Sequence, residues 1–386
     1  MVAATKAPDR IPAVLAIVAL GIFSALLLLL HDRWAPLIVV AAGAIALVVA
    51  LKTGAAAHAE RSFAAHERSM NAVVIAVFLG VLIALGRENF SLLMLCTVLL
   101  YGIACLGLNI QLGYCGVMNF AGAAFFGAGS YTAAVLAAHT ALPHPLILLA
   151  GGLVAGLLGS VLLLPLLRTR GHYAALITVA FGILFRSFLE VNDTLGGPQG
   201  LVVPGLNLFG WSLNDPITVG GVTFSFYLNY ALFTLLLAIV AFVLARRIER
   251  SWIGMNLDAV RIDAVAASTF GLNVPYLKIM AFVVGNIFAG IAGAVFAMMT
   301  GFVSPNDFDF STSLVLIAIL VLGGIGNPWG ILPAAALVII LPEKLQAIQE
   351  YRFLLYSIAV IAILLFRPAG LFPRRLRRFF PVERAS

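Results

Sequence analysis

"RRIERSWIGMNLDAVRIDAVAASTFGLNVPYLKIMAF", residues 246–282, breaks a sequence that is otherwise almost continuous Leu, Val, Ile, Ala, Phe and Gly. Charges of both signs appear here at helical spacing. Ile253, Leu257, Val260, Ala264 and Ala267 recur at intervals of four and three, which places them on one stripe of a helix. Asn256, Asp258, Arg261 and Asp263 lie mainly off that stripe. Gly271 stands where a helix would end, and Pro275 stops its continuation. A connection between membrane spans needs only a few polar residues to turn the chain. An ordered amphipathic helix over about 256–271 therefore calls for something to lie against, either the lipid interface or a groove on a soluble partner.

The surroundings define the class. Of 386 residues, 62% are hydrophobic and only 10% charged, with mean hydropathy +1.09. Soluble domains run near 45–50% apolar and about 25% charged, so the composition is that of a polytopic, all-α membrane protein with no soluble catalytic domain. Apolar runs predict spans near 11–30, 34–51, 71–86, 89–111, 116–138, 145–167, 173–190, 226–245, 277–300, 311–325, 328–342 and 352–366, each judged against the ~20 residues needed to cross the hydrocarbon core. Those near 116–138 and 311–342 are Gly-rich and read as broken or re-entrant, leaving about 9–12 transmembrane or re-entrant helices. The run from Lys6 and Arg10 to Leu30 reads as a first transmembrane helix, because no small-residue cleavage site precedes "HDRW".

Basic residues set the expected orientation. Arg246, Arg247, Arg250, Arg261 and Lys278 mark 246–278. Arg367, Arg374, Arg375, Arg377, Arg378 and Arg384 mark the C-terminus, and Arg168 and Arg170 flank a third turn. Segments 191–225 and 301–313 contain neither Lys nor Arg. The basic connections are thus expected in the cytoplasm and the base-free ones outside. The formal charge of +7 is accounted for by this anchoring, and no nucleic-acid partner follows from it. The outward stretch 191–225 is rich in turn-forming Gly, Pro, Asn and Asp. It also holds Leu206, Leu208, Phe209 and Trp211, so it is expected to pack on the outer surface or against another protein.

Chemistry is sparse. No phosphate-cradling GxxxxGK[ST], HExxH or GxSxG motif occurs, and no convergent titratable set suggests catalysis. Cys96, Cys105 and Cys115 read as buried thiols, without metal-ligand spacing. Arg186 and Glu190, four apart, share a helix face near the outer end of their span, as a snorkelling pair or as the lining of a vestibule. The other polar residues within spans are neutral: Asn109, Gln111, Asn119, Thr178 and Asn286. Ion-coupled transporters usually bury Asp, Glu or His. Neutral groups point to energy supplied from elsewhere, with an ion-coupled secondary transporter as the alternative of another class. Asn119, Thr178, Arg186 and Glu190 are the candidate lining of a translocation path, bordered by the Gly-rich turn 323–327. Small residues at four-residue spacing, Gly152–Gly156–Ser160 and Gly285–Ala289–Gly293, predict close helix approaches. "LGLNIQLGYCGVMNFAGAAFF" and "LVLGGIGNPWGILPAAALVII" hint at an internal repeat.

A membrane subunit with a docking helix and no nucleotide site of its own has the layout of an ABC permease. "DAVAASTFG", 263–271, resembles the coupling-helix motif of such permeases. "GYCGVMNFAGAAFFGAGSYTAA", "LRTRGHYAALITVAFG", "GGPQGL", "GFVSPNDFDF", "VLGGIGNPWG" and "LFRPAGLF", in order from about 100 to 373, are similar to the permease family of branched-chain amino-acid ABC transporters, the LivM-type subunit. Where that family commonly carries acidic residues around the coupling helix, this chain has Ile262, Ala264 and Ser268.

The resemblance implies an importer subunit in a bacterial inner membrane, serving branched-chain or other hydrophobic amino acids, or alternatively urea, short amides or small carboxylates. It implies a second permease subunit, two cytoplasmic ATPases that bind ATP and Mg, and a periplasmic solute-binding protein, with no cofactor or metal in this chain. Leu257, Val260, Arg261, Asp263, Ala264, Ala267 and Gly271 would engage the ATPase. The implied organisation is an accessory region and linker at 1–70, a permease domain at 71–373 and a basic cytoplasmic tail at 374–386.

Overall fold

The computed structural model describes residues 10–29, 66–167, 173–208, 210–219 and 222–344, with isolated positions in 38–62 and 357–374. The expected spans at 34–51 and 352–366, Arg168, Arg170 and the tail beyond Arg374 lie outside the described residues. The helices are α1 (Ile11–Leu29), α2 (Glu67–Ala84), α3 (Asn89–Leu108), α4 (Gly122–His139), α5 (His144–Leu167), α6 (Tyr173–Val191), α7 (Tyr227–Arg250), α8 (Trp252–Ile262), α9 (Ala264–Thr269), α10 (Val274–Thr300), α11 (Phe310–Gly323) and α12 (Ile331–Lys344). Among the described residues, five helices are long and apolar enough to cross a membrane. The number is up to seven if two bent pairs count as single spans, one bent by 89° after α6 and one by 117° between α11 and α12.

The chain divides into two units. One comprises 1–95, 215–231 and 340–355; the other comprises 96–214, 232–339 and 356–386. In the first, α1 packs on α2 through Gly21, where a β-carbon would overlap Val77. In the last described turn of α1 the Leu28 carbonyl accepts from Ser91 Oγ at 3.1 Å and from Lys344 Nζ at 2.9 Å. Val222–Thr223 returns on Thr218–Val219 as a short hairpin.

The second unit is built around α10, 27 residues long. Its small residues let neighbouring backbones touch, as the four-residue spacing predicts. A β-carbon at Gly293 would overlap the Phe126 carbonyl of α4, and one at Gly285 would stand 2.5 Å from the Gly107 carbonyl of α3. Ser130 Oγ donates to the Gly293 carbonyl at 2.8 Å across the same contact. Gly152 and Gly156 face Ile287, whereas Ser160 bonds only its own helix, at Leu157. Around these contacts pack Phe125, Phe126, Phe282 and Phe308. All three cysteines are buried, and none is joined in a disulfide.

The base-free segments are structured. Leu201–Val202 pairs antiparallel with Phe302–Val303, and Asn207–Leu208 pairs with Trp211–Ser212. Gly196 and Gly200 take φ of +82° and +76°, so the Gly-Gly-Pro run forms a single 3-10 turn, 197–199, and not an α-helix. A capping box at Ser304 and Asp307 holds the turn Pro305–Phe308, and Arg186 reaches it through Asn306 Oδ1 at 2.8 Å.

Candidate functional site: two helix breaks and a capped helix pair

Helix α3 does not simply stop at Leu108. It widens into a π turn, Asn109–Tyr114, a local departure often found at functional sites. The chain then runs without regular secondary structure from Gly116, at φ +74°, to the start of α4 at Gly122. Backbone groups freed by such a break need internal partners in an apolar environment, and side-chain amides provide them. Gln111 Nε2 donates to the Phe282 carbonyl at 3.0 Å and to Asn286 Oδ1 at 2.8 Å. Gln111 Oε1 accepts from Asn119 Nδ2 at 2.8 Å. Asn119 Oδ1 accepts the Ala121 amide at 2.9 Å, and Thr178 Oγ1 on α6 accepts the Phe120 amide at 3.0 Å. Gln111, Asn119, Thr178 and Asn286 are all buried.

A second break lies between α11 and α12. Gly324 and Gly326 take φ of +103° and +88°. Asn327 Oδ1 caps the following turn by accepting the Trp329 amide at 3.1 Å. The two breaks touch: the Gly326 amide donates to Asn109 Oδ1 at 2.7 Å. Helix–break–helix at 109–122 and again at 323–331 gives the suspected internal repeat a structural counterpart.

The expected single helix over 256–271 is corrected. Asp263 is extended (φ −152°, ψ 105°) and splits the segment into α8 and α9. The reason is local: its carboxylate accepts the Val265 and Ala266 amides at 2.8 and 3.0 Å, the N-cap geometry at which Asp excels. Gly271, at φ +82°, ends α9, with the Leu272 amide returning to the Ala267 carbonyl at 3.2 Å. Pro275 opens α10 in its first turn, behind the Asn273 cap.

The apolar stripe is also reassigned. Leu257, Val260 and Ala267, at 0%, 3% and 4% exposure, are taken up by the chain's own interior. Ile262, Val265 and Phe270 are bare, at 72%, 75% and 85%, as are Trp252 and, in part, Ile253 of the stripe. Helical spacing locates a stripe but not what covers it, and here Leu257, Val260 and Ala267 of that stripe turn inward. Arg261 lies against Gly116, a β-carbon there standing 3.1 Å from Arg261 Cγ.

Of the candidate path residues, Asn119 and Thr178 meet at the first break. Arg186 and Glu190 form an ion pair at 2.9 Å two helical turns and more further along α6, beside the turn Pro305–Phe308. Gln111 and Asn286, noted in the sequence only as neutral polar groups within spans, prove to be the centre of the buried network.

Broken membrane helices around a close-packed small-residue core, with a capped helix pair beside the breaks, have the build of a transport permease. The comparisons agree. The family model "Branched-chain amino acid transport system / permease component" matches residues 90–366, and the chain belongs to that family. It is 33% identical over 315 residues to the "High-affinity branched-chain amino acid transport system permease protein LivM" of Escherichia coli K12, covering 78% of this chain and 73% of that one. Similarity to the LivM protein of Salmonella typhimurium is also 33%, over 318 residues, 79% of this chain and 74% of that one. The permease BraD of Pseudomonas aeruginosa is 25% identical over 293 residues, 71% and 92% of the two chains. No solved structure matches.

Proposed function

We propose that this chain is the transmembrane subunit of an ATP-driven, binding-protein-dependent importer of branched-chain or other hydrophobic amino acids in a bacterial inner membrane. In this reading it pairs with a second permease subunit. Two cytoplasmic ATPases carry ATP and Mg and dock on α8–α9, and a periplasmic binding protein delivers cargo at the outward segments 191–225 and 301–313. Segment 246–278 and the C-terminus are cytoplasmic.

The observation that carries the proposal is the helix pair itself. Ile262, Val265 and Phe270 are bare, while Leu257, Val260 and Ala267 anchor the same short segment to the bundle. Exposed aromatic and aliphatic side chains on a rigid, capped element are what a partner groove buries. Arg261 and Asp263, at the junction, hold the pair's shape. The amides at the first break would present a polar but uncharged surface to a zwitterionic cargo, with Asn119 and Thr178 beside its route and Arg186 and Glu190 at the outer entrance.

Val265→Asp and Phe270→Asp, which place a charge in a contact meant to be apolar, are expected to lower recovery of the ATPase subunits with this chain at least about tenfold, consistent with ~1.4 kcal/mol or more per contact. Leucine uptake by the reconstituted complex should fall in parallel. Undiminished recovery of the ATPases would rule out this docking face. Uptake of urea or acetamide in place of leucine would reassign the cargo and leave the docking intact.

A further inference from the structure

We propose that Arg374, held against α8 by Asp258, is the positioning residue that ties the cytoplasmic helix to both helix breaks, so that displacement of α8 is passed directly to the backbone of the π turn. The expected free basic tail would begin at this residue, yet Arg374 is folded into the molecule. Its guanidinium makes a bidentate pair with Asp258, Nη1–Oδ1 at 2.5 Å and Nη2–Oδ2 at 2.8 Å. The same Nη1 donates to the Gly113 carbonyl at 3.3 Å, inside the π turn. The guanidinium carbon lies 4.9 Å from the centre of the Tyr114 ring, a cation–π arrangement that favours Arg over Lys. On its other side the side chain covers Gly326 of the second break, where a β-carbon would stand 2.5 Å from Arg374 Cδ.

Neighbouring residues set this arm in place. The Leu371 amide donates to the Leu322 carbonyl at 2.8 Å, and Asn327 Nδ2 donates to the Phe372 carbonyl at 3.0 Å. Gly370, at φ +81°, lies against Gly324. One side chain therefore joins α8, the first break and the second. A planar fork with several donors can hold such a junction rigidly, where a lysine ammonium would act only as a point charge. Asp258 also stands 3.6 Å from Arg261 Nε. Removing Arg374 would thus leave α8 charge-paired with itself but detached from Gly113.

The role of α8 as the input rests on the proposed docking, whereas the junction does not, and the test separates them. In the chain alone, in lipid nanodiscs, hydrogen exchange is followed at amides 113–117 and 258–262. Arg374→Ala and Asp258→Asn should each speed exchange about tenfold in both segments, and Arg374→Lys should recover little of the protection. Loosening confined to 370–374 would overturn the junction.

In the assembled complex, a single cysteine at Ile325→Cys in a background lacking Cys96, Cys105 and Cys115 reports the second break. Its labelling by a small maleimide should differ between nucleotide-free and ATP-vanadate states, and Arg374→Ala should abolish that difference while ATPase recovery stays normal. Persistence of the nucleotide effect in Arg374→Ala would overturn transmission through this residue. Loss of ATPase binding in that variant would also overturn it, making Arg374 a support of the docking face only. Failure of Val265→Asp to release the ATPases would count against the docking alone.

Discussion

The two helix breaks have the same form and opposite means of support. The first, 109–121, is held from within: Gln111, Asn119, Thr178 and Asn286 supply buried side-chain partners around it. The second, 324–330, has glycines at positive φ and leans on what lies beside it, Asn109 from the first break and the residues 371–374. Amide side chains fix a gap in one geometry, because an unmet buried donor or acceptor costs free energy. Glycines permit a gap without dictating its geometry. The first break is therefore the stiff one and the second the adjustable one, and Asn109 and Arg374 are the side chains that touch both.

Removing the hub of the stiff break should have the largest effect. Gln111→Leu removes three buried hydrogen bonds, to the Phe282 carbonyl, Asn286 Oδ1 and Asn119 Nδ2, at about 0.5–1.5 kcal/mol each, and leaves Asn119 Nδ2 and Asn286 Oδ1 only each other, at 3.2 Å. Thermal unfolding of the purified chain should show the largest drop in midpoint of the substitutions considered, with leucine uptake lost. Asn109→Leu should come second, since it strands one backbone amide, that of Gly326. Its mark should be a change at the second break, read as faster exchange of amides 326–329, while 116–121 keep their protection. If Asn109→Leu unfolds the chain as readily as Gln111→Leu, the stiff and adjustable roles are not divided as described. Asn327→Ala, the loss of a single turn cap, should cost only ~1 kcal/mol and leave uptake nearly intact, with a small fall in midpoint. A fall matching that of Gln111→Leu would show the second break to be as tightly specified as the first.

The helix pair α8–α9 shows how far sequence pattern reaches. Apolar spacing and Gly271 located the helical segment and its end, and the N-cap preference of Asp263 was legible in principle, since Asp followed by small helix formers is a start signal. The apolar stripe runs through Asp263 without a gap and hides that signal. Which face is covered was not legible at all. Leu257 and Val265 are equally apolar on paper, and only the packing of the bundle buries one and leaves the other bare.

Membrane class, all-α architecture, the Gly-rich breaks, the close approaches of α10 and the structured base-free segments follow from the sequence alone. Each rests on local physics: the length of apolar runs, the backbone freedom of glycine and the size of small residues at four-residue spacing. Tertiary structure alone decided that Asn109 meets Gly326, that Gln111 joins Asn119 to Asn286 across 167 positions or more, and that Arg374 leaves the expected tail to clasp Asp258 and Gly113. Those contacts pair residues far apart in the chain, and no periodicity within a helix carries information about which distant backbone will come to lie beside it.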